Sequence, residues 1–264
     1  MAYIYGLALI AAWCSRYAAN VKVTATHQWV ADYLERTGFI DVVQRGQVID
    51  SPRFDTHNCV ALTQLLRQKS EEADLTARRL RELFVHHAGL NEEQGRSLGI
   101  TFAELIENVY RHAENDYPGY VMAQAHPAKQ RFHVVIVDPG IGIYDSFRRS
   151  DVPEVRSRAV TERDALRMAT EAYVTSKASR HAGYGLYVVS TLAEKNRGVF
   201  RLTSGRTTLI QKPQLAILQK GRQSEYLVHP RWQGTSLGLM FNLDVSLPLR
   251  EVYTTMTKDA EDFF

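Results

Sequence analysis

The stretch from Glu104 to Ala113 places the strongest constraint on how this chain folds. At about 100° per residue, Glu104, Asn108 and His112 come close together on one side of a helix. An apolar stripe lies directly beside them and consists of Leu105, Ile106 and Val109. The pattern predicts a helix that packs one face into a core, while the polar edge of that face borders a site.

The composition is that of a folded globular protein. The 264 residues are 45% hydrophobic and 23% charged, which is enough for one full domain and a smaller unit. The formal net charge of +3 is too small for a nucleic-acid footprint, so no nucleic-acid partner is expected. Cys14 and Cys59 are far apart and form no CxxC pair, so neither a zinc site nor a disulfide is indicated. We expect a reducing, cytoplasmic location.

The N-terminal segment from Met1 to Cys14 is apolar and raises the question of a signal peptide. It lacks a basic start, and bulky Trp13 stands where a processing site would need a small residue. No apolar run approaches the roughly 18 to 20 residues that span a bilayer, so no membrane partner is expected. The segment is predicted to be a buried helix.

Residues 1–45 are predicted to form a small α/β unit. Residues 4–17 favour a helix, Val21 to Thr24 a short strand and residues 26–36 a second helix. Residues 46–59 have little periodicity and include glycine and proline, which indicates a linker.

Residues 60–248 are predicted to form the main domain, and residues 249–264 a C-terminal tail. From Val60 to His87 the apolar spacing favours helical segments. The β-branched runs Tyr120 to Gln124 and Phe132 to Val137 favour two strands joined by a polar turn.

Four short motifs occur along this domain, and each is common by itself. An isolated Glu-xxx-Asn is usually a solvated helix pair, and an isolated Gly-x-Gly is usually a tight turn. The four motifs are Glu104-xxx-Asn108, Asp138-x-Gly140-x-Gly142, Gly183-x-Gly185 and Gly234-Thr235.

Together and in this order, the motifs resemble the GHKL superfamily of ATP-binding domains. Gyrase, the mismatch-repair ATPase, a chaperone family, histidine kinases and anti-sigma-factor kinases share this domain. The resemblance covers roughly residues 88–248. It implies the α+β class and the Bergerat fold, a two-layer sandwich of helices on a mixed, mostly antiparallel sheet, with ATP and Mg²⁺ as ligands.

The resemblance assigns roles to the residues of the opening helix. Asn108 is expected to be the Mg²⁺ ligand, because an amide oxygen suits a hard cation. Glu104, one helical turn earlier, is expected to be the general base that activates a water molecule. His112 matches a site position in some relatives, but it could equally be a packed or capping histidine.

The resemblance places adenine at the second and fourth motifs. Asp138 follows a strand, and its ionised carboxylate accepts the hydrogen bond that the adenine amine donates. Gly140 and Gly142 would leave room for the base and ribose, and Thr235 would join Asp138 around adenine. Taken alone, Thr235 is as easily an ordinary strand residue.

The resemblance places the phosphates at the third motif. Gly183 and Gly185 precede a helix whose N-terminal amides can face phosphate oxygens, and Leu186 continues the family pattern. Lys177 lies in a segment that resembles the ATP lid, where it either reaches a phosphate or is solvated. Tyr187 stands where many relatives have a further glycine, which puts the details of lid closure in doubt.

The N-terminal unit has a second, looser resemblance. Tyr5-Gly6-Leu7, Val21-Lys22-Val23 and the run from Tyr33 to Phe39 resemble the second half of a STAS-like domain, the anti-sigma-factor-antagonist type. Such domains are the usual substrates of serine kinases that carry a GHKL domain. A fused half-domain could equally be an interaction module.

Three functions follow from these resemblances. The first is an Mg-ATP hydrolase that switches a lid, a partner protein or a homodimer in a bacterial-type regulatory or defence system. The second is a serine protein kinase of the anti-sigma-factor type; a histidine kinase is disfavoured because His86-His87-Ala88 supplies no phosphoacceptor pattern. The third is a non-catalytic nucleotide-sensing scaffold, against which the presence of Glu104 argues.

Overall fold

The computed structural model describes most of the chain and leaves several short gaps. The described ranges are 2–18, 21–46, 56–66, 73–112, 117–176, 183–212 and 224–261. Side chains are described throughout these ranges except at residues 2, 3, 112 and 256–261.

The centre of the protein is an open five-stranded sheet in which every neighbouring pair is antiparallel. The strands are β1 (Cys59–Leu65), β2 (Gly119–His126), β3 (Arg131–Asp138), β4 (Val199–Gln211) and β5 (Ser224–Asn242), in the spatial order β1-β2-β3-β5-β4. The central strand β3 contains the β-branched run from Val134 to Val137, and these side chains are buried on both faces of the sheet. Both faces therefore need a cover.

Ten α-helices lie in the described ranges, with one 3₁₀ turn at Pro127–Lys129 between β2 and β3. The helices are α1 (Ala2–Tyr17), α2 (Gln28–Arg36), α3 (Phe39–Val43), α4 (Ala73–Ala88), α5 (Glu92–His112), α6 (Ile143–Arg148), α7 (Pro153–Arg158), α8 (Glu162–Met168), α9 (Gly185–Lys195) and α10 (Leu249–Glu261). None of them is both long enough and apolar enough to cross a membrane.

The larger core lies between one face of the sheet and helices α4 to α9. Phe84 of α4 and Phe102 of α5 are fully buried there, and the Phe84 ring lies 4.3 Å from that of Phe132 on β3. Helix α5 contributes Leu105, Ile106 and Val109 to this core, as the opening pattern predicts. The end of α5 that carries Glu104 and Asn108 is thereby held against the sheet.

A second core covers the opposite face of the sheet. Helix α1 turns small residues, such as Ala8, Ala11 and Ala12, toward the sheet and so approaches it closely. Opposite them, Val135 and Val137 of β3 point away from the first core, because successive side chains alternate across a strand. The described N-terminal helices therefore pack directly on the sheet.

The predicted α+β class with helices on a largely antiparallel sheet is confirmed. Two local predictions are wrong. Val21 to Thr24 form no strand, and the residues from Val60 to Leu65 belong to strand β1 and not to a helix. Most of the predicted linker, residues 47–55, lies outside the described ranges, so the domain division at residues 46–59 stays a prediction.

Candidate functional site

One cavity brings the separate sequence motifs together. It has a volume of about 850 Å³, open solvent at its mouth included, and lies between α5, α6, the start of α9 and strands β3 to β5. Its apolar walls include Leu105, Ile136 and Leu237. Seven of the predicted residues line it, namely Asn108, Asp138, Gly142, Gly183, Gly185, Leu186 and Thr235.

Asp138 and Thr235 form one polar part of the cavity wall. Asp138 ends β3 and lies directly opposite Thr235 in the register with β5. The Gly140 amide donates a hydrogen bond to Asp138 Oδ1 at 2.8 Å. Burial raises the pKa of Asp138 to about 6, although hydrogen bonds to Gly140 and Thr235 oppose that shift. At neutral pH the carboxylate is ionised and can accept a hydrogen bond from a ligand amine.

Gly234 allows the two strands to meet at this point. Its φ is +107°, and an added Cβ would collide with the Asp138 carbonyl oxygen and lie 2.7 Å from the Gly140 nitrogen. A side chain at this position is therefore excluded both by its backbone conformation and by space. The Gly234-Thr235 motif brings the Thr235 side chain to Asp138.

Another part of the cavity wall is the N-terminus of α9. Gly183 approaches the backbone so closely that an added Cβ would lie 2.6 Å from the Val174 carbonyl oxygen. Gly185 and Leu186 begin the helix and line the cavity. Because the first amides of a helix have no carbonyl partner within it, and because the helix dipole is positive there, this part of the cavity suits an anion.

Glu104 borders the cavity at the α9 end, although it is not one of the lining residues. Its Oε1 accepts a hydrogen bond of 2.9 Å from the backbone amide of Tyr184, the residue before α9. An added Cβ at Gly185 would lie 3.4 Å from the Glu104 carboxyl carbon, so α5 and α9 are close at this point. The carboxylate is thus fixed beside the amides that would face a phosphate.

Asn108 lines the cavity one helical turn beyond Glu104. Its side chain makes no hydrogen bond to any other part of the chain that the structure describes. The same ranges contain no group of three His, Cys, Asp or Glu side chains that could hold a metal ion. An unengaged amide oxygen still fits a Mg²⁺ ion that takes its other ligands from phosphate and water.

The remaining predicted residues have different outcomes. Gly140 is outside the cavity lining but holds Asp138 through its amide. Lys177 lies outside the described residues, and so does the side chain of His112, whose backbone ends α5. Their predicted roles stay predictions.

The structure adds residues that no sequence motif indicated. Ser204 of β4 accepts a hydrogen bond of 2.9 Å from the Ile143 amide and donates one of 3.0 Å to the Gly234 carbonyl. The Gln233 side chain donates to the Gly140 carbonyl at 2.7 Å. Serine and glutamine are common surface residues. Ser204 reaches the site because β4 pairs with β5, and Gln233 because β5 pairs with β3.

Comparison with known families agrees with this geometry. The family model of the histidine kinase-like ATPase domain matches residues 67–210, which is more than half of the 264 residues. No curated protein matches the chain significantly. The STAS-like resemblance of residues 1–45 lies outside the matched region and stays a prediction.

Proposed function

The chain belongs to the histidine kinase-like ATPase domain family, and on that premise we propose that it binds and hydrolyses Mg-ATP in this cavity. The observation that carries the proposal is that Asn108, Asp138, Gly183 and Thr235, far apart in sequence, line one cavity. Hydrolysis would switch the lid, residues 143–182, or an interface with a partner protein or a second copy, in a bacterial-type regulatory or defence system in the cytoplasm.

Adenine would lie at the Asp138 end. The ionised carboxylate accepts the hydrogen bond that the exocyclic amine donates, and the Thr235 hydroxyl contributes a second polar contact. Ile136 lies two residues before Asp138 on β3, and Leu237 lies two residues after Thr235 on β5. Both apolar side chains line the cavity and would pack against the base. Guanine has a carbonyl at the position of this amine. A carbonyl and an ionised carboxylate are both hydrogen-bond acceptors and cannot bond to each other, so the site favours adenine.

The triphosphate would extend toward α9. The amides of the first residues of α9 would donate to phosphate oxygens, and Asn108 would hold the metal ion through its side-chain oxygen. When bound, Mg²⁺ would neutralise part of the negative charge on the β- and γ-phosphates. Gly183 and Gly185 leave the space that this approach requires.

Glu104 would act on the attacking water. Tyr184 occupies Oε1, and Oε2 has no hydrogen-bond partner among the described residues. The carboxylate accepts a proton as the water oxygen bonds to the γ-phosphorus. The bond from this phosphorus to the bridging oxygen breaks at the same time, which leaves ADP and phosphate.

Substitution of Glu104 tests this proposal. We expect Glu104→Ala to bind ATP with nearly unchanged affinity and to lose turnover by about 10²-fold or more, because it removes only proton transfer and water orientation. Glu107→Ala is the matched control, since Glu107 is on the same helix and forms an ion pair with Arg111. Calorimetric titration gives the affinity and a phosphate-release assay gives the turnover.

The same pair of assays separates the alternatives. Transfer of label from γ-labelled ATP to a protein serine would identify a kinase of the anti-sigma-factor type. Binding without either phosphate release or protein labelling in the wild type would identify a nucleotide-sensing scaffold. Equal turnover in Glu104→Ala and the wild type would refute the role of Glu104.

A further inference from the structure

Helix α1 lies behind the predicted adenine end of the cavity, on the other face of the sheet. Its contacts with the sheet are mostly apolar, through residues such as Ile4 and Ala8. Three of its side chains instead make polar contacts with the sheet or with the turn after β3, namely Tyr5, Ser15 and Arg16. Ser15 contacts Tyr120 of β2, whereas Tyr5 and Arg16 contact the immediate neighbours of residues that line the cavity.

Arg16 holds the turn that follows β3. Its Nη1 donates a hydrogen bond of 2.7 Å to the carbonyl oxygen of Pro139. Pro139 stands between Asp138 and Gly140, whose amide donates to Asp138 Oδ1. A guanidinium is a charged donor, and such hydrogen bonds are stronger and more directional than neutral ones. The position of the Asp138 carboxylate therefore depends on a turn that α1 holds from behind.

Tyr5 holds the strand that carries Thr235. Its hydroxyl lies 2.6 Å from Ser236 Oγ and 3.2 Å from Thr203 Oγ1, and all three residues are buried. Because side chains alternate across a strand, Ser236 faces α1 while its neighbour Thr235 faces the cavity. The guanidinium of Arg201 lies 4.6 Å from the centre of the Tyr5 ring and fixes the ring further.

We propose that α1 is a positioning element for nucleobase recognition, in which Arg16 and Tyr5 fix Asp138 and Thr235 from the opposite face of the sheet. Neither residue touches the cavity, so each acts through the backbone of its neighbour. The inference rests on the proposed ATP-binding function and extends it by assigning part of the selectivity for adenine to the N-terminal helix.

The first test measures nucleobase selectivity. ATP and inosine triphosphate differ at one edge of the base, where adenine carries the amine that Asp138 would bind and hypoxanthine carries a carbonyl beside a protonated N1. The ratio of their affinities therefore reports how this edge is recognised. Loss of one hydrogen bond that positions the carboxylate should lower the ratio about three- to tenfold in Arg16→Met and in Tyr5→Phe. General destabilisation would weaken both nucleotides equally and leave the ratio unchanged.

The N-terminal helices offer matched controls. Arg36→Met removes an exposed arginine of α2, and Tyr17→Phe removes an exposed hydroxyl of α1 that forms no hydrogen bond within the described ranges. Both controls should keep the wild-type ratio. Thermal unfolding of each variant shows that the protein used in the titrations is folded.

The second test needs no nucleotide. Hydrogen–deuterium exchange of the peptide over residues 138–142 should be faster in Arg16→Met than in Arg36→Met, because the turn has lost one of the donors that hold it from outside. Unchanged exchange, or an unchanged ratio in both Arg16→Met and Tyr5→Phe, would overturn the inference while leaving ATP binding intact. Absence of ATP binding in the wild type would overturn the proposed function itself and the selectivity that rests on it.

Discussion

The charge of Asp138 should reduce the stability of the protein while it enables nucleotide binding. Burial raises the pKa of this carboxyl from its ordinary value of about 3.9 to about 6. The folded state therefore holds the proton more tightly than the unfolded state does. Between these two pKa values the folded state binds more protons, so the free energy of unfolding falls as pH rises.

The size of this effect follows from the two pKa values. Their difference corresponds to about 3 kcal/mol, which is absent well below pH 4 and fully developed above about pH 7. Between pH 5 and pH 8 the same relation gives a loss of about 1.5 kcal/mol. Asp138→Asn cannot ionise, so this part of the pH dependence should vanish, and the variant should gain stability relative to the wild type as pH rises.

The same substitution should abolish ATP binding. The asparagine side chain can face the adenine amine in two orientations. One presents its own amide donor, which cannot bond to the amine, and the other presents a neutral carbonyl, which is a weaker acceptor than the carboxylate. Replacing a charged acceptor by an unpaired buried donor costs about 3 to 5 kcal/mol in total, which is at least about 10²-fold in affinity.

Urea unfolding at pH 5 and pH 8, with calorimetric titration of ATP at pH 8, measures both effects. Asp145→Asn is the control, because Asp145 is on the neighbouring helix α6 and pairs with Arg231 near the protein surface. Two results would refute the reasoning. One is ATP binding by Asp138→Asn at wild-type affinity, and the other is an identical change of unfolding free energy with pH in Asp138→Asn and the wild type.

Two further predictions concern the backbone around the site. Gly234→Ala should destabilise the protein by about 2 kcal/mol or more and weaken ATP binding, because the residue has φ +107° and its Cβ would collide with the Asp138 carbonyl. Thermal unfolding measures the stability and calorimetric titration the ATP affinity. A melting temperature equal to that of the wild type would contradict the prediction. Thr161→Ala should cost about 1 kcal/mol, because Thr161 forms a capping box with Asp164 at the start of α8. Urea unfolding checks this prediction, with Thr24→Ala in an exposed loop as the comparison.

The residues of the site could be predicted where their signals are local. Glu104 and Asn108 share one helix, and Asp138 ends a strongly β-branched strand, so short windows of sequence suffice to place each of them. The resemblance implies that Asp138 and Thr235 lie close together, and in the structure they are opposite each other in the register of β3 with β5. What the motifs could not show was the hydrogen bond from Tyr184 to Glu104, which depends on how α9 packs against α5.

Strand β1 shows why periodicity failed near residue 60. The run Cys59–Leu65 is almost fully buried, so it lacks the polar alternation that distinguishes a strand from a helix. Its conformation is decided by pairing with β2, in which Cys59 lies opposite Gln124. Val21 to Thr24 shows the converse, because β-branched residues without a pairing partner form no strand.

The sheet explains how an apolar N-terminal helix can influence a polar site that it does not touch. Successive residues of β3 and β5 point alternately to the cavity and to the face of the sheet that α1 covers. Val137 and Ser236 on the α1 face are therefore the covalent neighbours of Asp138 and Thr235 on the cavity face. A substitution that shifts the backbone on the α1 face therefore also shifts the adjacent residue on the cavity face. A chain without α1 would expose Tyr120, Met122 and the back of β3 to water, and it would also lose the hydrogen bond from Arg16 to the Asp138 turn.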